Sequence, residues 1–184
     1  MGFLETNISI FRLINDLGKE YPFLNPAWVF IAEYIIFLVA LAGIVFWFNN
    51  GKKNRMMVIC AVVTAPLAVI IGKVAGLFHS NFQPFAELAN VNQLVEKTVG
   101  NSFPSDHTIL VFSFCVTFWL FKRGWGFLWL LLAFLVGISR IWVGVHYPLD
   151  VLAGAGISIL TAVAVYKMAP RMGLDRKYKK EIGM

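Results

Sequence analysis

Five long apolar stretches divide this chain, at about Trp28 to Phe48, Met56 to Phe78, His107 to Phe121, Gly126 to Val143 and Leu149 to Met168. A helix rises about 1.5 Å per residue, so about 20 apolar residues cross the hydrocarbon of a bilayer. The spacing predicts an all-α fold, a polytopic membrane helix bundle of about five spans. Composition agrees: 59% of residues are apolar, 14% are charged, and 17 Phe, 6 Trp and 5 Tyr suit interfacial belts. A water-soluble globule and a disordered chain are excluded by that apolarity, and a collagen-like repeat by the lack of a Gly period. Cys60 and Cys115 lie inside apolar runs, where they pack as small hydrophobes rather than form a disulfide framework.

Ahead of the first span, Phe3, Leu4, Ile8, Ile10, Phe11, Leu13, Ile14 and Leu17 recur at near-helical spacing among Glu5, Thr6, Asn7, Arg12, Asn15 and Asp16. That pattern predicts an interfacial helix on the outer leaflet. Tyr21-Pro22 and Asn25-Pro26 then break the chain. One integral membrane domain over residues 1–184 is expected, with helix and linker in 1–26, the bundle in 28–168 and a charged tail in 169–184. No cleavable signal peptide is evident, and the myristoylation-like start at Met1-Gly2 would face the wrong side for that modification.

The net charge of +6 does not point to nucleic acid, because the basic residues flank apolar segments. Of 16 Lys and Arg, 11 (Lys52, Lys53, Arg55, Lys122, Arg123, Lys167, Arg171, Arg176, Lys177, Lys179, Lys180) fall on one side. The other 5 (Arg12, Lys19, Lys73, Lys97, Arg140) fall on the opposite side or within spans. By the positive-inside rule the first group, with the C-terminus, is cytoplasmic, in a plasma membrane. The N-terminal segment and the loops His79 to Asp106 and Gly144 to Pro148 then face outward.

Polar residues interrupt the apolar pattern at two places. Asn101-Ser102-Phe103-Pro104-Ser105-Asp106-His107 precedes the third span. Ser105 has N-cap chemistry, and the free N–H groups of a helix start make an anion site. Plain capping would account for Ser105 but not for an imidazole at the membrane boundary, and His107 can deliver a proton near neutral pH. The second place is Ser139-Arg140 through His146-Tyr147-Pro148-Leu149-Asp150. Pro148 fits a first helical position and sets Asp150 in the first turn. That carboxylate can accept the Nδ1–H of His146 and leave Nε2 free as nucleophile or base. Arg140 supplies a fork suited to phosphate oxygens. A lone interfacial Arg or His would read as the end of a span, but Arg, His and Asp around one loop, facing a second His, read as a site.

Ser139-Arg140, five residues, His146, three residues, Asp150, preceded by Pro104-Ser105-Asp106-His107, resembles two motifs of the type 2 phosphatidic acid phosphatase superfamily, over about residues 70 to 165. Asp106 and the small size are similar to bacterial undecaprenyl pyrophosphate phosphatases in particular. The resemblance implies His146 as nucleophile, His107 as general acid, Asp150 as orienting carboxylate, and Ser105, Asp106 and Arg140 at the phosphoryl oxygens. It implies a phosphohistidine intermediate, no cofactor, no metal, a polyprenyl pyrophosphate or phospholipid phosphate as substrate, and a role in recycling the cell-wall lipid carrier. A phosphatidate or phosphatidylglycerophosphate phosphatase would share every catalytic residue, and a non-catalytic lipid-phosphate binder or transporter would share the bundle.

One residue departs from the family. Its first motif ends in Arg-Pro, and here Gln83-Pro84 stands at that place, with Lys73 further upstream than the usual basic residue. Gln83 can hydrogen-bond a phosphate but brings no charge. The enzyme is then slow, an engineered variant, or one in which Lys73 or Lys97 substitutes; for Lys73, snorkelling to the interface is an equal reading. Glu33, inside the first span, is expected to face the bundle interior, protonated or paired, near the site. His79 reads as a surface residue, since no ligand spacing supports zinc. The sequence leaves the oligomeric state open.

Overall fold

The computed structural model describes residues 2–49 and 51–169, and every regular element among them is helical. Helix α1 (Phe3–Asn15) and the single turn α2 (Leu17–Glu20) precede a 3-10 turn at Pro22–Leu24. The bundle follows as α3 (Asn25–Phe48), α4 (Lys52–Phe78), α6 (Asp106–Phe121), α7 (Arg123–Trp142) and α8 (Pro148–Met168), with the short α5 (Pro84–Glu87) in the long α4–α6 connection. Prolines open three of these helices, at Pro26, Pro84 and Pro148. A first-turn N–H has no helical partner, so proline costs nothing there.

Four helices, α3 with its preceding turn, α4, α7 and α8, are long and apolar enough to cross a membrane. The expected third span is the exception, since α6 has only 16 residues. Its position gives the reason. It is the central helix, packed against α4, α7 and α8, and protein rather than lipid surrounds Ile109, Cys115 and Phe118. Gly72 lets α4 approach it closely, because a Cβ there would fall 2.5 Å from Ile109 Cδ1. The outer faces are correspondingly apolar, with Phe37, Leu41, Ile44, Ile70, Phe134 and Leu160 exposed.

Helix α1 is more than an interfacial float. Asn7, Phe11 and Asn15 recur every four residues and so share a face, and that face is bound to the loops beside the bundle. Asn7 accepts the Leu149 N–H at 3.1 Å, Phe11 packs edge-on against Tyr147 at 5.5 Å, and Asn15 donates to the Trp142 carbonyl at 2.8 Å. Arg12 donates to the carbonyls of Ala89 and Asn90. Leu4 and Leu13 are left exposed. Its polar side chains thus hold the loops, and part of its apolar side faces outward.

The starts of α3, α6 and α8 and the ends of α4 and α7 meet at the end of the bundle that α1 covers. At the opposite end lie Lys52, Lys53, Arg55, Lys122, Arg123 and Lys167. There Lys122 sits 4.3 Å over the Phe46 ring and Arg123 sits 5.1 Å over Trp119. The tail with Arg171, Arg176, Lys177, Lys179 and Lys180 lies outside the described residues.

Candidate active site

After α7 ends at Trp142 the chain must reverse within a few residues to begin α8. Gly144 makes this possible: its φ is +82°, and a Cβ there would meet the Asn92 carbonyl at 2.7 Å. The N–H groups of Val145 and His146 both donate to the Arg140 carbonyl at 3.2 Å, closing the turn. This delivers His146 beside the first turn of α8. There Asp150 Oδ2 accepts the Tyr147 N–H at 2.9 Å, as an acidic residue in a first turn should.

The direct His146–Asp150 hydrogen bond expected from the spacing is not what forms. Nδ1 of His146 is 3.5 Å from Asp150 Oδ2, beyond good hydrogen-bonding distance. Ser102 stands between them, its Oγ 3.0 Å from Nδ1 and 2.7 Å from Oδ2. A carboxylate only accepts, so the hydroxyl donates to Asp150 and offers its lone pair to Nδ1–H. On the other side of the ring, Lys97 Nζ lies 2.8 Å from Nε2. An ammonium only donates, which assigns the lone pair to Nε2 and the proton to Nδ1. The four groups form one directional chain, from ammonium to imidazole to hydroxyl to carboxylate. Burial holds the His146 pKa below the ordinary imidazole value, with Asp150 opposing the shift. At neutral pH the ring is therefore uncharged, the state a nucleophile needs.

Donors without acceptors collect nearby. Arg140 is buried, and its Nη1 donates to the Ala32 carbonyl at 3.0 Å and to Glu33 Oε1 at 3.1 Å, while its Nε has no partner among the described residues. Glu33 is thus paired, as its place in an apolar helix requires. Ser105 has the extended backbone of an N-cap, yet its side chain makes no capping bond, and its buried Oγ, like Thr108 Oγ1, has no partner among the described residues. The Ser105 N–H is bound to the Asp150 carbonyl at 3.1 Å, which ties the start of α6 to the start of α8. The next N–H groups of α6 have no helical acceptor. His107, in the first turn of α6 and partly buried, is within electrostatic range of Arg140, Glu33 and Lys97. A buried hydroxyl, a guanidinium Nε and a helix start, all lacking acceptors, suit an oxyanion.

Other anticipated residues stay apart. Lys73 is exposed on α4 and has no hydrogen bond or ion pair among the described residues. Asp106 is exposed at the first position of α6, where its charge acts on Lys97. Gln83 is 1% exposed and its Oε1 accepts the Gly100 N–H at 3.0 Å, so its carbonyl secures a loop. His79 is exposed and meets Phe103 edge-on at 4.6 Å. Ser102 was not singled out by sequence reasoning. Its one signal was a second Ser inside the segment that already held Ser105 and His107.

Comparison with known proteins gives a consistent result. The family model described as the PAP2 superfamily matches residues 58–173. The chain is 56% identical over 172 residues to a protein of Bacillus licheniformis named bacitracin transport permease protein BcrC, covering 94% of this chain and 85% of that one. It is 32% identical to the undecaprenyl-diphosphatase BcrC of Bacillus subtilis, covering 89% of this chain and 84% of the relative. Among solved structures it is similar to Aquifex aeolicus LpxE, with a TM-score of 0.74 and 29% identity over 88% of this chain and 95% of the other.

Proposed function

The chain belongs to the PAP2 superfamily, and from that membership we propose that it hydrolyses undecaprenyl pyrophosphate to undecaprenyl phosphate and phosphate, returning the carrier to cell-wall synthesis. One observation carries the reading: an uncharged, oriented His146 stands in a site where Ser105 Oγ and Arg140 Nε lack acceptors. Nε2 attacks the terminal phosphorus in line, the bridging P–O bond breaks, and His107 protonates the departing lipid phosphate. Water then releases phosphate from the phosphohistidine. Arg140, Ser105 and the first N–H groups of α6 take the equatorial oxygens, where charge gathers in the transition state. The protein works as one multi-pass membrane domain over residues 1–184.

Purified protein in detergent should release phosphate from undecaprenyl pyrophosphate, and folded His146→Ala should not. Phosphate release by His146→Ala at the wild-type rate would remove His146 as nucleophile. Competition with phosphatidate and phosphatidylglycerophosphate identifies the preferred head group. The basic end of the bundle is the cytoplasmic one, which makes the site extracytoplasmic. Cysteine at the exposed Gln93, in a background without Cys60 and Cys115, should react with an impermeant thiol reagent on intact cells. Labelling only after lysis would reverse that orientation.

A further inference from the structure

The loop between α5 and α6 places a cation where the phosphoryl group must arrive. Lys97 Nζ has one hydrogen-bond partner among the described residues, Nε2 of His146 at 2.8 Å. An ammonium has three donors, and here it spends one, on a neutral acceptor. The carboxylates of Asp106, Asp150 and Glu33 act on it through space without pairing, and the second cation, Arg140, and His107 face the same region. Two cations that crowd each other in a partly buried space call for an anion between them. In-line attack needs phosphorus about 3–3.5 Å from the nucleophilic nitrogen, and Nζ, at 2.8 Å, stands closer than that, against the same lone pair. The loop is built to hold it there. Leu94 N–H donates to the Val143 carbonyl at 3.1 Å, Gly100 N–H to Gln83 at 3.0 Å, and Ser102 N–H to the Asn81 carbonyl at 2.7 Å.

We propose that Lys97 is a catalytic residue: its ammonium covers the Nε2 lone pair of His146 until the terminal phosphoryl group arrives, then moves onto the phosphoryl oxygens beside Arg140. The inference deepens the hydrolytic reading above and rests on it. One N–H···N bond is exchanged for N–H···O bonds. The freed lone pair forms the P–N bond as the bridging P–O bond breaks, and that bond's electron pair leaves on the lipid phosphate, which takes the His107 proton. Gln83 then serves the site indirectly, by fixing the loop that carries the cation.

Burial, with Arg140 second, lowers the Lys97 pKa to about 8, against the opposing pull of Asp106, Asp150 and Glu33. The ammonium is present below that pH and lost above it, and kcat/KM reports the free enzyme. Besides the fall set by the His107 proton, the wild-type profile should therefore carry a further step near that pH. Lys97→Arg keeps the charge throughout, so it should retain activity and carry that alkaline limb upward by more than about one pH unit. Lys97→Met preserves the stem and should lower kcat/KM about 10- to 100-fold, the worth of a charged hydrogen bond.

The experiment measures phosphate release from undecaprenyl pyrophosphate across pH 6 to 10 for the full-length wild type, Lys97→Met and Lys97→Arg in detergent. Binding of inorganic phosphate to the same proteins is read by tryptophan fluorescence. An active wild type with the predicted loss and shifted limb supports the role. An active wild type with folded Lys97→Met within about twofold of it, or with a limb unmoved in Lys97→Arg, overturns it. An inactive wild type that loses phosphate binding in Lys97→Met refutes hydrolysis but leaves Lys97 as the anion ligand. An inactive wild type whose phosphate binding is absent, or unchanged in Lys97→Met, overturns both.

Discussion

Ser102→Ala isolates the part of the site that spacing alone misassigns. Ser102, His146 and Asp150 are 0%, 2% and 1% exposed, so water does not readily replace the lost hydroxyl. Without it the nearest acceptor for Nδ1–H is Asp150 Oδ2 at 3.5 Å, and Asp150 keeps only the Tyr147 N–H. A buried donor left without a partner costs about 1–3 kcal/mol, more when charged. The imidazole gains positive charge as its P–N bond forms, so the missing contact is felt most in the transition state. At about 1.36 kcal/mol per tenfold in rate, kcat should fall about 10- to 100-fold while KM stays within about twofold. The assay is phosphate release from a lipid pyrophosphate, with thermal unfolding to establish folding. Ser113→Ala is the matched control, because Ser113 is also fully buried but its hydroxyl has no partner among the described residues. If folded Ser102→Ala turned over within about threefold of the wild type, the ring would have reached Asp150 unaided and the relay through Ser102 would be wrong. A loss confined to KM would refute it equally.

Glu33→Ala leaves Arg140 Nη1 with the Ala32 carbonyl alone; since the Glu33 side chain is 41% exposed, water takes part of its place, and a stability loss of about 1 kcal/mol with a kcat drop of about tenfold is expected. Glu33→Gln, which still accepts from Nη1, should recover most of it in unfolding and turnover assays, and an unchanged Glu33→Ala would refute the positioning role. Asn15→Ala removes three hydrogen bonds, to Asn92 N–H and to the carbonyls of Asn92 and Trp142, and should cost about 2–4 kcal/mol in denaturant unfolding, where exposed Leu13→Ala should cost little. Because burial depresses the His146 pKa, the neutral nucleophile persists as pH falls through the ordinary imidazole value, and the acid limb of kcat/KM should lie below about pH 6.5; a limb at or above that pH would contradict the burial argument.

What could be read from the residues follows from how local the signal is. Apolar runs are local, and the ends of α3, α4, α7 and α8 lie within about four residues of those the hydropathy suggests. Arg140, His146 and Asp150 are spaced along one turn and a helix start, so their convergence is written in a single stretch of chain. Ser102 and Lys97 reach His146 from sequence separations of 44 and 49 residues. Nothing in their neighbours announces such contacts, which are made by the long loop folding back over the helix ends. Helix α1 misleads for a related reason. Asn15 looks like the wet face of an interfacial helix but is 0% exposed, because its partners are carbonyls of distant loops. Gln83 was placed by analogy with an Arg, whereas its buried carbonyl is satisfied by Gly100.

The name permease on one relative and diphosphatase on another pose a physical choice, and the interior packing bears on it. Passage of a charged head group would require donors along the whole bundle, since an unpaired phosphate in an apolar interior is very costly. The charged and helix-start donors around His146 lie instead at one end, and deeper in the bundle the unpartnered buried groups among the described residues are the neutral hydroxyls of Thr64 and Ser113. Toward the other end the interior is filled by rings: Phe118 from α6 meets Phe46 of α3 at 5.4 Å and Trp129 of α7 at 5.0 Å, and Phe121 meets Tyr166 of α8 at 5.0 Å. Opening a route would separate α3 and α7 from the fully buried Phe118 and α8 from Phe121, and lose edge-to-face contacts worth about 0.5–1.5 kcal/mol each, beyond the area exposed. Hydrolysis makes no such demand. It needs only the terminal phosphorus to reach Nε2 of His146 from the covered end while the lipid tail stays in hydrocarbon against the apolar outer faces.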